Sequence, residues 1–205
     1  MDGNVAASLR LMMVTDDRLL GGRDPIALCR AAARGGVTSV QLRIKKATAR
    51  ELAVLARALV AALDIPVLVN DRLDVALAAG AAGVHLGRDD LPVRLARRAA
   101  PPGFVIGASV GSAAEAPAAE GADYWGVGPW RATATKADAG TALGPEGFRA
   151  IRALAGNIPC VAIGGVRPED VVAMREAGGA GVAVVSGILA ESDVEAAARR
   201  YSGTV

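Results

Sequence analysis

Short runs rich in Val, Ile and Leu alternate along this chain with longer runs in which apolar and charged residues recur at helical spacing. The apolar runs predict strands over Leu11–Thr15, Ser39–Ile44, Val67–Val69, Gly83–Leu86, Val105–Ser109, Tyr124–Val127, Cys160–Ile163 and Val182–Val185. The amphipathic runs predict helices over Pro25–Arg34, Ala49–Leu63, Arg72–Ala79, Pro92–Ala99, Ala113–Glu120, Pro145–Leu154, Pro168–Ala177 and Val194–Tyr201. Pro stands near the expected first turn in Asp24-Pro25, Leu91-Pro92, Gly144-Pro145 and Arg167-Pro168, where its missing N–H removes no helical hydrogen bond. Gly follows several helices, as at Gly35-Gly36, Gly80, Gly121 and Gly178-Gly179, and suits the left-handed turn that ends a helix.

Three segments repeat one plan of helix end, Gly turn and next strand: 78–84, 120–124 and 176–182. Short loops repeated this way imply one topology carried round a closed sheet. Eight strand-plus-helix units in 205 residues predict a single-domain α/β fold, a (β/α)₈ TIM barrel over 1–205, with residues 1–10 as an N-terminal extension. An open doubly wound sheet is the alternative. The helix after the last strand favours closure.

Composition narrows the core and the partners. Hydrophobic residues make up 52% but aromatic residues only 3%, so the core must be built from Ala, Val, Leu and Ile, as layered α/β packing requires. Net charge is +2, which offers no bulk field for nucleic acid, so any anion site must be local. Cys29 and Cys160 lie far apart in apolar segments and read as buried, reduced thiols of a cytoplasmic protein. Residues 1–10 lack the apolar core of a secretory signal. Charged residues or Gly interrupt the apolar stretches before the ~20 residues a membrane span needs.

In a barrel, chemistry belongs at the C-terminal strand ends. The second strand alternates Val40, Leu42 and Ile44 with Ser39, Gln41, Arg43 and Lys45. The polar set is expected to face the interior, where cations need an anion or an inner carboxylate to meet them. The third strand runs into Asn70-Asp71, and the fourth is followed by Asp89-Asp90. Adjacent tips would bring Asp71 to Asp90 or Asp89. Such a pair without His or Cys reads as a hard-cation site for Mg²⁺ and substrate phosphate, or else as helix N-caps. Ser109 ends the fifth strand, with Ser112 a candidate N-cap; the Ser109 hydroxyl is either structural or turned to a cavity.

A long segment after the sixth strand carries Thr133, Thr135 and Lys136, which suit phosphate oxygens; a plain surface loop is the other reading. Gly164-Gly165 after the seventh strand and Val185-Ser186-Gly187 after the eighth stand where barrels bind phosphate. His85, the one His, lies inside an apolar strand and reads as a hydrogen-bonded core residue rather than a catalyst. A single His also argues against a multi-His zinc site.

Gln41-Leu42-Arg43-Ile44-Lys45, Val69-Asn70-Asp71, Gly83-Val84-His85-Leu86-Gly87 with Asp90, Gly128-Pro129 with Thr133-Ala134-Thr135-Lys136, and Ile163-Gly164-Gly165 resemble the thiamine phosphate synthase family, in order, over Leu11 to Leu189. The resemblance implies an enzyme that joins hydroxymethylpyrimidine diphosphate to hydroxyethylthiazole phosphate and releases diphosphate. It implies Mg²⁺ on Asp71 and Asp90, and diphosphate oxygens on Arg43, Lys45, Asn70 and Lys136. Gln41 and Ser109 would meet the pyrimidine or its leaving group. Thr133, Thr135, Gly165, Val185 and Ser186 would cradle the thiazole phosphate. Lys136, Arg43 and Ser109 would be the catalytic groups. Ile44, Arg88, Gly111, Met12 and Trp130-Arg131-Ala132 depart from the family pattern without removing a metal or phosphate ligand. A thiazole tautomerase of the same superfamily, or a barrel that only binds thiazole phosphate, is the rival reading. The expected partners are these two small molecules, with no nucleic acid or membrane; a homo-oligomer is compatible with the sequence.

Overall fold

The computed structural model describes residues 3–133 and 140–204. In chain order these form α1 (Gly3–Ser8), β1 (Leu11–Val14), α2 (Asp17–Leu20), α3 (Pro25–Arg34), β2 (Ser39–Leu42), α4 (Ala49–Ala62), β3 (Val67–Asn70), α5 (Leu73–Ala79), β4 (Gly83–Leu86), α6 (Val93–Ala99), β5 (Val105–Val110), a 3₁₀ segment (Ala113–Ala119), β6 (Tyr124–Val127), α7 (Gly144–Leu154), β7 (Cys160–Ile163), α8 (Asp170–Glu176), β8 (Gly181–Val184), α9 (Ser186–Leu189) and α10 (Val194–Ser202). Every strand pairs in parallel with the next, and β8 closes on β1. The expected barrel forms, and the open sheet does not.

The period of two along each strand separates two cores. Outward residues such as Val40, Leu42, Val69, Ile106 and Val127 pack against helix residues such as Cys29, Ala56, Leu59 and Phe148. Inside lie Met12, Val14, Leu68, Tyr124, Val161 and Ala183, joined from the N-terminal end by Leu9. The segment before β1 therefore packs into the barrel floor; a Cβ on Gly181 would fall 2.0 Å from the Leu9 carbonyl oxygen. Both Cys are buried and unpaired, and burial pushes the Cys29 thiol up to about 12 and Cys160 up to about 11. No described helix is long and apolar enough to cross a membrane.

Local chemistry explains the boundaries. Asp24 accepts from the Ile26 amide at 2.9 Å with Pro25 in the first turn of α3, and Asp193 does the same for Ala196 in α10. Thr48 and Glu51 form a reciprocal capping box on α4. β2 ends two residues earlier than its alternation predicts, because the Thr15 hydroxyl, not a backbone carbonyl, accepts the Arg43 amide at 2.8 Å. The helix expected over 113–120 is a 3₁₀ segment: Pro117 has no N–H to donate and its ring opposes an α-helical turn. Asp71 and Asp89 do not cap: α5 and α6 start after Arg72 and Pro92 without side-chain caps. Ser112 occupies the N-cap position of the 3₁₀ segment but makes no side-chain cap either.

Phe148 of α7 is fully buried and meets Trp130 edge-on, with ring centroids 5.6 Å apart. Phe148→Ala is expected to cost about 3–5 kcal/mol of stability through the cavity it leaves. The shift of the denaturant midpoint measures this.

Candidate active site at the barrel mouth

A cavity of about 590 Å³ opens at the C-terminal ends of the strands. It takes in Gln41, Arg43, Lys45, Asn70, Asp71, Asp90, Ser109, Thr133, Gly165, Val185 and Ser186. These residues come from six of the eight strand ends plus the root of the segment after β6. Thr135 and Lys136 lie outside the described residues.

Asp71 and Asp90 approach within hydrogen-bonding reach of each other. The backbone aims them. Asp71 sits at φ 65°, a left-handed conformation that Asp tolerates better than most side chains. Two bonds hold it there: the Asp71 amide donates to His85 O and the Arg72 amide to Asn70 O, both at 2.8 Å. Asp90 folds back so that its Oδ2 accepts from the Gly87 amide at 2.7 Å. Burial, then the hydrogen bond and charge of Asp90, raise the Asp71 carboxyl from its usual 3.8 to about 6, against the pull of Lys45 and Arg43. Asp89 instead points outward beside Arg88, so Asp90 is the partner.

Arg43 and Lys45 face this pair from the β2 end, close enough to act on its charge. Arg43 does not stand alone, as the inner-carboxylate reading anticipated. Its Nη1 lies 2.9 Å from Oδ2 of Asp16, which is 3% exposed, while Asp16 Oδ1 accepts from the Arg18 and Leu19 amides. The guanidinium is therefore aimed by an acid that also caps α2. Sequence reasoning missed Asp16; its position between β1 and a helical turn was the available signal.

The floor is polar. His85 is 6% exposed, with Nδ1 2.9 Å from the Tyr124 hydroxyl and Nε2 3.0 Å from Ser109 Oγ. It is the hydrogen-bonded core residue that its strand suggested, and Ser109 both lines the cavity and engages it. Gln41, 3% exposed, bonds Tyr124 and directs Nε2 at Met12 Sδ, 3.5 Å away. Tyr124 was also missed, although its inward position at the start of a strand should have demanded a polar partner.

At the opposite end, Gly164 and Gly165 have φ of 89° and 68°, and a Cβ on either would come within 3 Å of Pro129 or Arg131. The chain after β6 lies directly on this turn: the Trp130 amide donates to Ile163 O at 2.8 Å and the Arg131 amide to Gly164 O at 2.9 Å. Arg131 then grips Asp170 of α8, with Nε 2.8 Å from Oδ2, and Tyr201 of α10 donates to Val166 O at 3.0 Å. Thr133 is thus delivered beside the glycines and Ser186. A larger, more open depression of about 890 Å³ continues outward from here past Arg18 and Arg167.

The donor set fits a hard divalent ion. Among the described residues no three His, Cys, Asp or Glu side chains gather, so a closed zinc site is not built. Two carboxylates pressed together, needing a proton or a cation between them, suit Mg²⁺, which keeps waters and takes phosphate oxygens as further ligands.

Comparison with known proteins places the chain. A model of the thiamine monophosphate synthase family matches residues 11–188. The thiamine-phosphate synthase of Methanoculleus marisnigri is 50% identical over 194 residues, covering 92% of each chain. That of Moorella thermoacetica is 47% identical over 200 residues, covering 95% of each. The solved thiamine phosphate pyrophosphorylase of Pyrococcus furiosus superposes with a TM-score of 0.86 at 37% identity, over 98% of this chain and 96% of that one.

The raised Asp71 carboxyl carries a stability signature. It binds its proton more tightly folded than unfolded, so its contribution is fully present below pH 3.8 and lost as pH rises through about 6. In metal-free protein, Asp71→Asn should gain stability relative to wild type progressively from pH 4 to 6 and hold that gain above. Thermal melts across this window measure the difference. A difference independent of pH would contradict the acid-pair geometry.

Proposed function

The chain belongs to the thiamine monophosphate synthase family, and from that premise we propose that its barrel mouth joins 4-amino-2-methyl-5-hydroxymethylpyrimidine diphosphate to 4-methyl-5-(2-hydroxyethyl)thiazole phosphate, giving thiamine phosphate and diphosphate. One observation supports this most directly: two carboxylates in contact, Asp71 and Asp90, face Arg43 and Lys45 across a cavity whose far end is the Gly164-Gly165 turn. The arrangement offers charge for a diphosphate at one end and a cradle for a second phosphate at the other.

The chemistry suits a site that has cations and no evident nucleophile. The methylene C–O bond of the pyrimidine breaks, and its electron pair leaves with diphosphate. The aminopyrimidine ring spreads the positive charge left on the methylene carbon. The thiazole nitrogen then donates its lone pair to that carbon and forms the new C–N bond.

Asp71 and Asp90 would hold Mg²⁺, which when bound neutralises charge on the departing diphosphate. The protein's own groups do the rest. Arg43, aimed by Asp16, and Lys45 with Asn70 bind diphosphate oxygens and stabilise the charge that grows on them. Gln41 and Ser109 orient the pyrimidine over the floor. Thr133, Gly165, Val185 and Ser186 fix the thiazole phosphate, so that the two rings meet in reactive geometry with little water between them. Thr135 and Lys136 have the same expected roles, on resemblance alone. Two buried, unpaired thiols suit a reducing, cytoplasmic setting. The tautomerase alternative gains no support, since Gly111 stands where its proton-carrying His is expected and His85 is committed to the floor.

Asp71→Ala should lower the rate of thiamine phosphate formation by at least about 10²–10³-fold with Mg²⁺ present, whereas Thr133→Ala should cost about tenfold or less. Steady-state assays with both substrates measure this. Near wild-type turnover in Asp71→Ala would overturn the metal assignment. Chelation of divalent ions should stop diphosphate release, and added Mg²⁺ should restore it.

A further inference from the structure

Asp170, the first residue of α8, is 5% exposed and lines neither the inner cavity nor the outer depression. Its carboxylate nonetheless gathers the two chains that line both. Arg131, on the chain leaving β6, forks onto it, with Nε 2.8 Å from Oδ2 and Nη2 on Oδ1. Oδ2 also accepts from the Arg167 amide, just past the Gly164-Gly165 turn, at 2.9 Å. α8 does not need this acid to stay on the barrel, since Val171 and Met174 are 0% and 1% exposed in the core. A buried acid costs desolvation, and an ion pair with a guanidinium that is 47% exposed returns little of it. What a planar fork on a carboxylate does supply is direction.

The fork directs the chain that delivers Thr133. The amides of Trp130 and Arg131 already donate to Ile163 O and Gly164 O. The approach is close: a Cβ on Gly165 would lie 2.9 Å from Arg131 Cβ and 3.1 Å from Ala132 O. The Leu143 amide donates to Pro129 O at 2.8 Å and the Gly144 amide to Trp130 O at 3.1 Å, so residues 129–131 carry both Thr133 and the returning chain. The glycine turn is braced from the other side. Tyr201 Oη donates to Val166 O at 3.0 Å, and a Cβ on Gly187 would lie 2.1 Å from that hydroxyl. With the turn held there, the contribution of Asp170 is to hold the chain after β6 down on it.

We propose that Asp170 is a positioning residue for a phosphate ester: through the Arg131 fork it holds the chain after β6 on the Gly164-Gly165 turn, so that Thr133 and Gly165 meet the phosphate as one wall while Asp170 itself never touches it. That the ester is a thiazole phosphate rests on the functional reading above; the coupling of the two chains does not. Arg131 has a competing role, as a cation that binds the phosphate directly. The two roles differ in sign. A phosphate-binding Arg131 is held back by Asp170, and freeing it tightens binding. An Arg131 that latches the chain needs Asp170, and freeing it weakens binding.

Titration calorimetry on the full chain reads both ends of the mouth, with 4-methyl-5-(2-hydroxyethyl)thiazole phosphate for one and inorganic diphosphate with Mg²⁺ for the other. Asp170→Asn keeps the shape and removes the charge. It should weaken thiazole phosphate binding about tenfold, as loss of one charge-assisted hydrogen bond does, and leave diphosphate affinity unchanged. Arg131→Lys should do the same, because an ammonium keeps the charge without the fork. The double variant should bind no more weakly than either single one, since both break one connection. Tighter thiazole phosphate binding in Asp170→Asn would overturn the proposal and make Arg131 a phosphate ligand. Equal losses for both ligands, or additive losses in the double variant, would also overturn it and leave Asp170 a structural acid. If Asp170→Asn does not fold, Arg131→Lys decides alone: unchanged affinity for thiazole phosphate overturns the latch. Binding is read without turnover, so a wild type that binds thiazole phosphate but forms no thiamine phosphate overturns the functional reading alone.

Discussion

Two carboxyl groups on neighbouring strand tips, Asp71 and Asp90, stand close enough to hydrogen-bond, and carboxylates tolerate this only with a proton or a cation to share. Much of the mouth is organised around that demand. A left-handed backbone at Asp71, two amide bonds that hold it, and a Gly87 amide that clamps Asp90 all bring like charges together rather than apart. Arg43 and Lys45 reduce the repulsion without removing it. A site that holds its acids in this way would gain from a divalent ion, and on the proposed function that ion would serve the departing diphosphate.

Around this pair, rigid elements point mobile side chains. Asp16 follows β1, caps α2 and aims Arg43, so one buried carboxylate ties a cation of the site to the first strand and its helix. Arg131 binds Asp170 of α8 and Tyr201 binds the Val166 carbonyl just after the glycine turn, so both brace the chain after β7. Among the described residues no buried side-chain polar atom lacks a hydrogen-bond partner, although the barrel interior carries Gln41, Ser39 and His85. Polar interiors are stable only when complete in this sense.

Most of the architecture was legible because alternation, Pro and Gly each act over a few residues. All eight strands fall where apolar runs predict them, and their ends move by no more than two residues. The misplacements have local causes. Thr15 replaces a ladder carbonyl with its hydroxyl and ends β2 early, and Pro117 turns an expected α-helix into a 3₁₀ segment. The site was legible as a set of strand-end residues, since a parallel barrel collects them in one place whatever their sequence separation. Pairings across strands were not. Nothing local tells that Asp16 serves Arg43, that Asp170 serves Arg131, or that Asp90 rather than Asp89 turns toward Asp71, because those choices depend on register and loop curvature.

The most direct test is a crystal structure of the protein grown with Mn²⁺ and diphosphate, with the metal located by anomalous scattering. The account predicts one strong peak bridging the Asp71 and Asp90 carboxylates, with diphosphate oxygens between the metal and Arg43. A metal bound elsewhere in the mouth, or Asp71 and Asp90 turned apart with no ion between them, would contradict it.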